Sequence, residues 1–550
     1  MWQQGYDPLH NAVLSTAVAA VPIVTLLGAL GVVRMKAHYA AGLGLLAALA
    51  IAVFVFGMPA GMAGRAALYG VGFGLLPIGW IIFNVIFLYQ LTLECGQFKV
   101  LQDTLVRVTD DRRLQLLLIA FCFGAFFEGA AGGGTPVAVT GAILIGLGFS
   151  PLSASALSLI ANTAPVAYGG LGTPIFALQG VTGLDLYQLS GMVGRQLPFF
   201  SLLVPFWLIW TFAGFRGMLG VWPPILVSGG SFAVSQFLVS NYSGPLLVDV
   251  VSAIVSIAAL SAFLRVWRPA HTWHSAGNRI SSEIAVAPET AIVRHERGSV
   301  LRAWAPWIIL AAFVFVWGIP PVKSVLDVLS TVKIPVPGLH AFVARVPPVV
   351  AQPTPEAAIY NFNWLSAPGT AVFLAAIVAG FVMGYGVPQL VRSYVRTMWL
   401  IRYSLVTIAC MLALGYVTRY SGTDATLGLA FAYTGLLYPF FGTLLGWVGT
   451  ALTGTDAASN VLFGSLQKIT AQQLGLDPVL MAAANSSGGV MGKMIDAQSI
   501  VVATTATRWY GHEGEILRYV FFHSLALAAL VGLLVMLQAY VPPFTALVGW

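Results

Sequence analysis

Apolar runs long enough to cross a lipid bilayer recur along almost the whole of this sequence. A membrane-spanning helix needs about 20 consecutive, mainly apolar residues. Only 8% of the 550 residues are charged, whereas about a quarter of the residues in an ordinary soluble protein are charged. A soluble protein of this size would lack the charged side chains to cover its surface. The sequence therefore predicts an all-α integral membrane protein, with no separate soluble domain.

The pattern predicts about 12 transmembrane crossings and two re-entrant hairpins. Ten crossings are continuous, near residues 11–33, 39–58, 67–92, 191–213, 219–240, 246–264, 303–320, 367–386, 397–417 and 519–540. Two more, near 152–178 and 479–503, are predicted to be broken helices, because the first contains Gly, Asn and Pro and the second contains Gly and Asn. The second break is predicted around residues 485–493. The hairpins, 114–149 and 438–472, each have a polar, glycine-containing middle. Non-helical backbone at this depth must be covered by protein or by a water-filled cavity.

Basic residues set the predicted orientation. With the N-terminus outside, the inside segments hold most of the 26 Lys and Arg residues, as the positive-inside rule requires. The C-terminus then also lies outside. Because these residues are scattered over short loops, the net charge of +7 indicates membrane topology and not nucleic-acid binding.

This orientation makes the two hairpins enter the membrane from opposite sides, which predicts two inverted repeats. The first covers residues 1–268 and the second covers 303–550, joined by a cytoplasmic loop at 269–302. Short matching sequences support the repeat: Gly148-Phe149-Ser150-Pro151 with Gly475-Leu476-Asp477-Pro478, and Ala161-Asn162-Thr163 with Ala484-Asn485-Ser486. Inverted repeats with interrupted helices are the architecture of many secondary transporters.

Each hairpin carries one acidic residue near its middle, Glu128 in the first and Asp456 in the second. An ionisable group at membrane depth is costly, and it is by default a functional-site hypothesis. A buried carboxyl group can take up and release a proton near neutral pH. Glu128 and Asp456 are therefore predicted to carry a coupled proton. The alternative for Glu128 is a structural carboxylate bonded to the N–H groups of the hairpin.

Small and polar residues near the two acids are predicted to bind a substrate. Glycines let the backbone turn tightly and let a ligand approach it, and the N-terminus of a half-helix directs partial positive charge at an anion. The residues concerned are Gly132, Gly133, Thr135, Asn162, Thr163, Asn485 and Ser486. The alternative for the first broken crossing is a kinked helix that serves only packing.

Lys493 lies well inside the second broken crossing, which makes it the candidate cation for a substrate carboxylate. Its alternative role is a structural partner of Asp456 or Asp496, because buried transmembrane charges usually pair. The sequence predicts no metal ion and no cofactor, since no metal-ligand spacing or cofactor motif is found. The absence of a nucleophile–base set argues against an enzyme.

Several of these sequences together resemble the L-lactate permease family of bacterial transporters. The resemblance rests on Trp2-Gln3-Gln4-Gly5-Tyr6-Asp7-Pro8, on Cys122-Phe123-Gly124-Ala125-Phe126-Phe127-Glu128-Gly129-Ala130-Ala131-Gly132, on Asn162-Thr163-Ala164-Pro165-Val166-Ala167, on Gly194-Arg195-Gln196-Leu197-Pro198, on Leu452-Thr453-Gly454-Thr455-Asp456 and on Gly488-Gly489-Val490-Met491-Gly492-Lys493-Met494-Ile495. It runs over nearly the full length. It implies proton-coupled uptake of L-lactate, often with D-lactate and glycolate, across the bacterial inner membrane, so the expected partners are a small monocarboxylate, a proton and the lipid bilayer. It leaves a homodimer open.

Two departures from the family pattern put the substrate in question. The family usually has a bulky Phe at the position of Gly133 and often a small Ala at the position of Thr135. It usually has Ser-Pro where this chain has Asp496-Ala497, and the added acid lies about one helical turn from Lys493. Two alternatives remain open: a sodium-coupled carboxylate transporter or antiporter of similar architecture, and a non-transporting membrane subunit of a larger complex.

Overall fold

The computed structural model of this protein describes residues 1–31, 33, 35–106, 108–130, 132, 135–273, 297–350, 352–509 and 512–548. These residues are mostly helical, which confirms the predicted fold class. Within this described part, eight helical segments are long and apolar enough to cross a membrane: Ala60–Glu94, Arg112–Ala130, Leu186–Leu219, Val248–Val266, Gly298–Trp317, Val387–Ser421, Thr423–Ala451 and Glu513–Tyr540. Shorter apolar helices accompany them. The number of 12 crossings stays a prediction.

The first half begins with the short strand β1 (Trp2–Gln3) and continues as helices. These are α1 (Ala12–Gly31), α2 (Ala37–Phe54), α3 (Ala60–Phe73), α4 (Trp80–Glu94), α5 (Gln97–Val106), α6 (Arg112–Leu116), α7 (Gly124–Ala130), α8 (Thr135–Gly146), α9 (Pro151–Ala161), α10 (Gly169–Thr182), α11 (Leu186–Leu219), α12 (Trp222–Tyr242) and α13 (Val248–Val266). One π-helical segment, Gly74–Gly79, joins α3 to α4, and another, Leu117–Phe123, joins α6 to α7.

The second half begins at α14, since most of the predicted loop 269–302 lies outside the described residues. Its elements are α14 (Arg297–Gly318), α15 (Pro320–Ser330), β2 (Thr331–Pro335), β3 (Val343–Arg345), β4 (Thr354–Pro355), β5 (Ile359–Asn363), α16 (Pro368–Val382), α17 (Val387–Ser421), α18 (Thr423–Phe431), α19 (Tyr438–Thr453), α20 (Asp456–Leu474), α21 (Pro478–Gly492), α22 (Ala497–Ala506) and α23 (Glu513–Tyr540). Helix α14 starts at Arg297, so the end of the predicted loop is helical.

The five strands form two small sheets that the sequence analysis did not predict. Strand β3 pairs in parallel with β1 and antiparallel with β4, and β2 pairs antiparallel with β5. Glu356, between β4 and β5, forms ion pairs with Arg345 at 3.0 Å and with Arg419 of α17 at 2.7 Å. This carboxylate therefore links the strand segment to a long helix of the membrane part.

Both predicted hairpins are pairs of helices. In the first, α6 and α7 form one arm and α8 the other, and Gly132 between them has a φ of +61°. In the second, α19 ends at Gly454, whose φ is +82°, and α20 starts at Asp456. Left-handed φ values suit glycine because it lacks a Cβ atom, so the sequence places glycine where each hairpin reverses.

Both predicted broken crossings are interrupted, but not at equivalent places. The first interruption is long: α9 ends at Ala161, and the backbone at Gly170, Leu171 and Gly172 has positive φ values before regular helix resumes. The second interruption covers only residues 493–496, between α21 and α22. The sequence placed it around residues 485–493, but those before Lys493 are helical.

Candidate functional site

A cavity of about 330 Å³, here called the central cavity, lies where the two hairpins, the two helix interruptions and α17 meet. Its polar wall comes from both halves of the chain, with Glu128, Gly132 and Thr173 from the first half and Thr455, Asp456, Lys493 and Gln498 from the second. Its apolar wall includes Ile78, Ile82, Met411 and Leu412. Two acidic residues and one lysine that are far apart in sequence therefore line one cavity.

Glu128 belongs to α7, four residues before Gly132, and is 3% exposed. The Asn162 side-chain amide donates a hydrogen bond of 3.1 Å to its Oε2 atom. Its Oε1 atom lies against Gly169, where a Cβ atom would be only 2.4 Å away. The interruption of the first broken crossing thus makes room for this carboxyl group and holds it at the cavity wall.

Asp456, the first residue of α20, is held in a parallel way by the second half. It is 2% exposed, and the Ser486 hydroxyl donates to its Oδ2 atom at 2.5 Å. Asn460 donates to the same atom at 3.3 Å. Its Oδ1 atom lies against Gly489, where a Cβ atom would be 2.1 Å away. Each hairpin acid is therefore packed on a glycine of the crossing that follows it.

Lys493 starts the second interruption and is 3% exposed. Its Nζ atom donates to the carbonyl oxygen of Gly454 at 2.6 Å and lies 3.2 Å from Asp496 Oδ2. Of the two structural partners considered for this lysine, the structure thus pairs it with Asp496. Lys493 is nevertheless one of the residues that line the cavity.

Four of the predicted substrate ligands, Asn162, Thr163, Asn485 and Ser486, are buried behind the cavity wall and not in it. Asn162 and Ser486 hold the two acids, as described above. Thr163 donates to the Ile160 carbonyl at 2.8 Å. Asn485 bonds to Asn460 at 3.0 Å and to Gln467 at 3.1 Å. Each of these four side chains makes at least one hydrogen bond within the protein, so they lie in the layer of residues behind the cavity wall.

The glycine-rich tip of the first hairpin is described only in part. Gly132 lines the cavity as predicted. Gly133 lies outside the described residues, and Thr135 begins α8 with a side chain that also lies outside them.

Sequence reasoning missed two threonines that line the cavity, Thr173 and Thr455. Both lie where a helix begins: regular helix resumes at Thr173, whose hydroxyl donates to the Gly170 carbonyl. Thr455 is the N-cap of α20 and accepts from the Ala458 N–H at 3.1 Å. Helix N-termini carry partial positive charge, and the sequence signal was a Thr directly after Gly in both cases.

A second cavity of about 1010 Å³ lies next along the same helices. Helix α10 contributes Ala177 to the central cavity and Gln179 to the larger one, and α17 contributes Met411 to the central cavity and Arg419 to the larger one. Aromatic side chains, among them Phe73, Phe176 and Tyr416, belong to the wall of the larger cavity. The two cavities therefore lie one beyond the other along α10 and α17.

Two hairpins and two interrupted helices around a cavity that is lined by two acids and a lysine define a helical membrane transporter. The L-lactate permease family matches residues 15–542 of the chain. The chain belongs to this family, which confirms the resemblance found in the sequence.

Individual relatives match over nearly their whole length. The chain is 47% identical to the glycolate permease GlcA of Escherichia coli (strain K12), over 98% of both chains. It is 45% identical to the L-lactate permease of Bacillus subtilis (strain 168), over 98% of this chain and 99% of that one. Among solved structures, the YdaH transporter of Alcanivorax borkumensis aligns with 96% of this chain and 98% of that chain at 14% identity, with a TM-score of 0.44.

Proposed function

We propose that this protein is a proton-coupled importer of L-lactate and related 2-hydroxymonocarboxylates, D-lactate and glycolate, in the bacterial inner membrane. Relatives that match end to end are named as glycolate and L-lactate permeases. The observation that carries the proposal is the cavity itself, in which Lys493 faces Glu128 and Asp456. A cation for the substrate and two acids for the proton thus line one cavity.

The substrate carboxylate binds between Lys493 and the helix N-termini at Thr455 and Thr173. A compact ammonium group meets a small carboxylate as a point charge, and the N-terminal dipoles add partial positive charge. Hydroxyl groups of the wall, those of Thr173 and Thr455 among them, can bond to the substrate's 2-hydroxyl group. Asn162 and Ser486, proposed from the sequence as direct ligands, act instead by holding the acids.

Glu128 and Asp456 carry the coupled proton. Moving a monovalent anion into a cell against an inside-negative potential costs about 2.3 kcal/mol per 100 mV. One proton carried with one lactate cancels that charge, so the neutral pair crosses without electrical work. The proposed orientation, with both termini outside, makes the larger cavity the outer vestibule that leads to the central site.

The test is uptake of labelled L-lactate by the purified protein in proteoliposomes. With an acidic exterior, the lactate concentration inside should rise above that outside, and collapsing the pH gradient with a protonophore should abolish this accumulation. Replacing Na⁺ by choline should change nothing. Accumulation that requires Na⁺ and does not depend on the pH gradient would show that transport is coupled to sodium and not to protons. No flux of any tested 2-hydroxy acid would defeat it entirely.

A further inference from the structure

A further buried acid, besides Glu128, Asp456 and Asp496, lies beside the central site. Asp249, in the first turn of α13, is 1% exposed, and neither of its carboxyl oxygens has a hydrogen-bond partner among the described residues. An ionised carboxylate without a partner is very costly in an apolar interior. The group is therefore held in its neutral, proton-carrying form in this conformation.

Asp249 is adjacent to the hairpin acid Glu128 through an unusually close helix contact. Helix α13 packs against α7, and a Cβ atom on Gly129 would lie 2.6 Å from the Asp249 Cβ and 3.0 Å from the Val250 nitrogen. Gly129 directly follows Glu128 in the sequence. Asp249 therefore packs against the immediate neighbour of the acid that lines the central cavity. The two carboxyl groups are close enough to interact electrostatically.

The groups that surround Asp249 leave Glu128 as its proton partner. Tyr168 also faces it, but the Tyr168 hydroxyl is already bonded to the Ser190 carbonyl at 2.6 Å. Cys122, on the π-helical segment packed against α13, bonds to Ser256 at 3.2 Å, about two turns away from Asp249. None of the described groups that interact with Asp249 is a cation. Glu128, in contrast, lines the cavity that also holds Lys493.

We propose that Asp249 is a second proton-carrying residue, which exchanges the coupled proton with Glu128. The O–H bond of one carboxyl group breaks as that of the other forms, directly or through a water molecule, and one carboxylate remains charged after each transfer. Glu128 can then be ionised while the coupled proton remains in the protein, on Asp249. The proposal rests on the proton coupling proposed above and adds a residue to it.

The experiment compares Asp249→Asn with Ser252→Ala in proteoliposomes. Ser252 is the matched control, because it lies one turn further along α13, is fully buried, and its hydroxyl also has no partner among the described residues. Two rates are measured: accumulation of lactate driven by a proton gradient, and exchange of labelled for unlabelled lactate at equal pH on both sides. Exchange needs no net movement of protons.

Asp249→Asn should lose gradient-driven accumulation and keep exchange at the rate of the Ser252→Ala variant. Without the coupled proton, an inside-negative potential of 100 mV lowers the accumulation ratio of the lactate anion by about 50-fold. An infrared band of a protonated carboxyl group should also disappear in Asp249→Asn and remain in Ser252→Ala.

Three results would overturn the proposal. The first is normal accumulation in Asp249→Asn, and the second is an unchanged carboxyl band. The third is failure of Asp249→Asn to fold. In the proposal Asp249 is already neutral, so replacing it by the neutral Asn should leave folding intact. If the wild-type protein itself shows no proton-driven accumulation, the proposed function fails before the variants are compared, so the two failures are distinguishable.

Discussion

Lys493 Nζ lies 3.2 Å from Asp496 Oδ2 across the interruption of the second broken helix. The same aspartate accepts a hydrogen bond of 2.7 Å from the Ser499 N–H and so caps α22. The same lysine bonds to Gly454 at the tip of the second hairpin. One ion pair therefore fixes the hairpin tip, the start of a half-helix and the cation of the cavity relative to one another.

The first prediction separates the binding role of Lys493 from its structural role. Lys493→Gln should lower both the yield of folded protein and the uptake of lactate, because removing one partner of a buried ion pair costs about 3–5 kcal/mol. The double variant Lys493→Gln with Asp496→Asn should recover folding, since Asn is also a good helix cap. Its KM for lactate should remain raised.

Lys493→Arg is the control for charge alone, and it should not restore full affinity because the planar guanidinium group demands a different geometry. Thermal unfolding of the purified variants reports folding, and uptake kinetics report affinity. A double variant with the wild-type KM would show that Lys493 does not bind the substrate.

The second prediction tests the proposed role of Glu128 in proton coupling. Glu128→Gln keeps an oxygen that can accept the bond from Asn162, so the site should stay folded. Proton-driven accumulation of lactate should be lost, while exchange of internal for external lactate should continue. Wild-type accumulation by this variant at equal expression would remove Glu128 from the mechanism.

Ionisable residues in apolar runs could be identified from the sequence, and the structure brings Glu128, Asp456 and Lys493 together at one cavity. The same argument could not show that Asn485 lies behind the cavity wall. The spacing of residues along a chain does not reveal which side of a helix faces a cavity. Asp249 was missed for another reason: it lies at the beginning of an apolar run, where an acid looks like the surface end of a helix. Only the packing of α13 on α7 shows that it is buried.

The fold was predictable to a similar degree. Glycines and prolines indicated both hairpins and both interruptions. The second interruption was placed too early, because Asn485, Ser486 and the glycines after them remain helical. Those glycines serve contact between helices instead of a break: a Cβ atom on Gly488 would lie 2.1 Å from the Thr443 carbonyl oxygen of α19.

The third prediction tests this contact with a matched pair of glycines. Gly446 of α19 packs on α21, where a Cβ atom would lie 1.9 Å from the Asn485 carbonyl oxygen, whereas a Cβ atom on Gly230 of α12 would meet nothing within 4 Å. Gly446→Ala should lower the Tm of the purified protein, since overpacking costs about 1–3 kcal/mol or more. Gly230→Ala should leave the Tm unchanged or raise it, because Ala favours a helix. Equal Tm values for the two variants would contradict the close packing of α19 on α21.

The fourth prediction concerns substrate selection. A site that bonds the 2-hydroxyl group should discriminate against analogues without it, because its own polar groups are then left unpaired. Glycolate and D-lactate should compete with labelled L-lactate, and propionate should compete poorly. Succinate is the decisive competitor: inhibition equal to that by lactate would favour a dicarboxylate transporter.

The last prediction concerns the ion pairs of Glu356 outside the membrane helices. Burial by itself raises the pKa of this carboxyl group, but Arg419 and Arg345 outweigh burial and hold the pKa below its ordinary value. A lowered pKa in the folded protein means that these pairs stabilise the fold above the unfolded pKa, about 4.3, and that the stabilisation is lost as the pH falls through the folded value. The Tm of Glu356→Gln should therefore lie well below that of the wild type at neutral pH, and the difference should shrink on acidification below about pH 4.

Glu94→Gln is the control for this prediction. Glu94 lies 3.5 Å from Arg396, whose side chain is 79% exposed, and such surface pairs contribute about 0–1 kcal/mol. A Tm difference for Glu356→Gln that is as small as that for Glu94→Gln at neutral pH would show that the strand segment is not held to α17 by these charges.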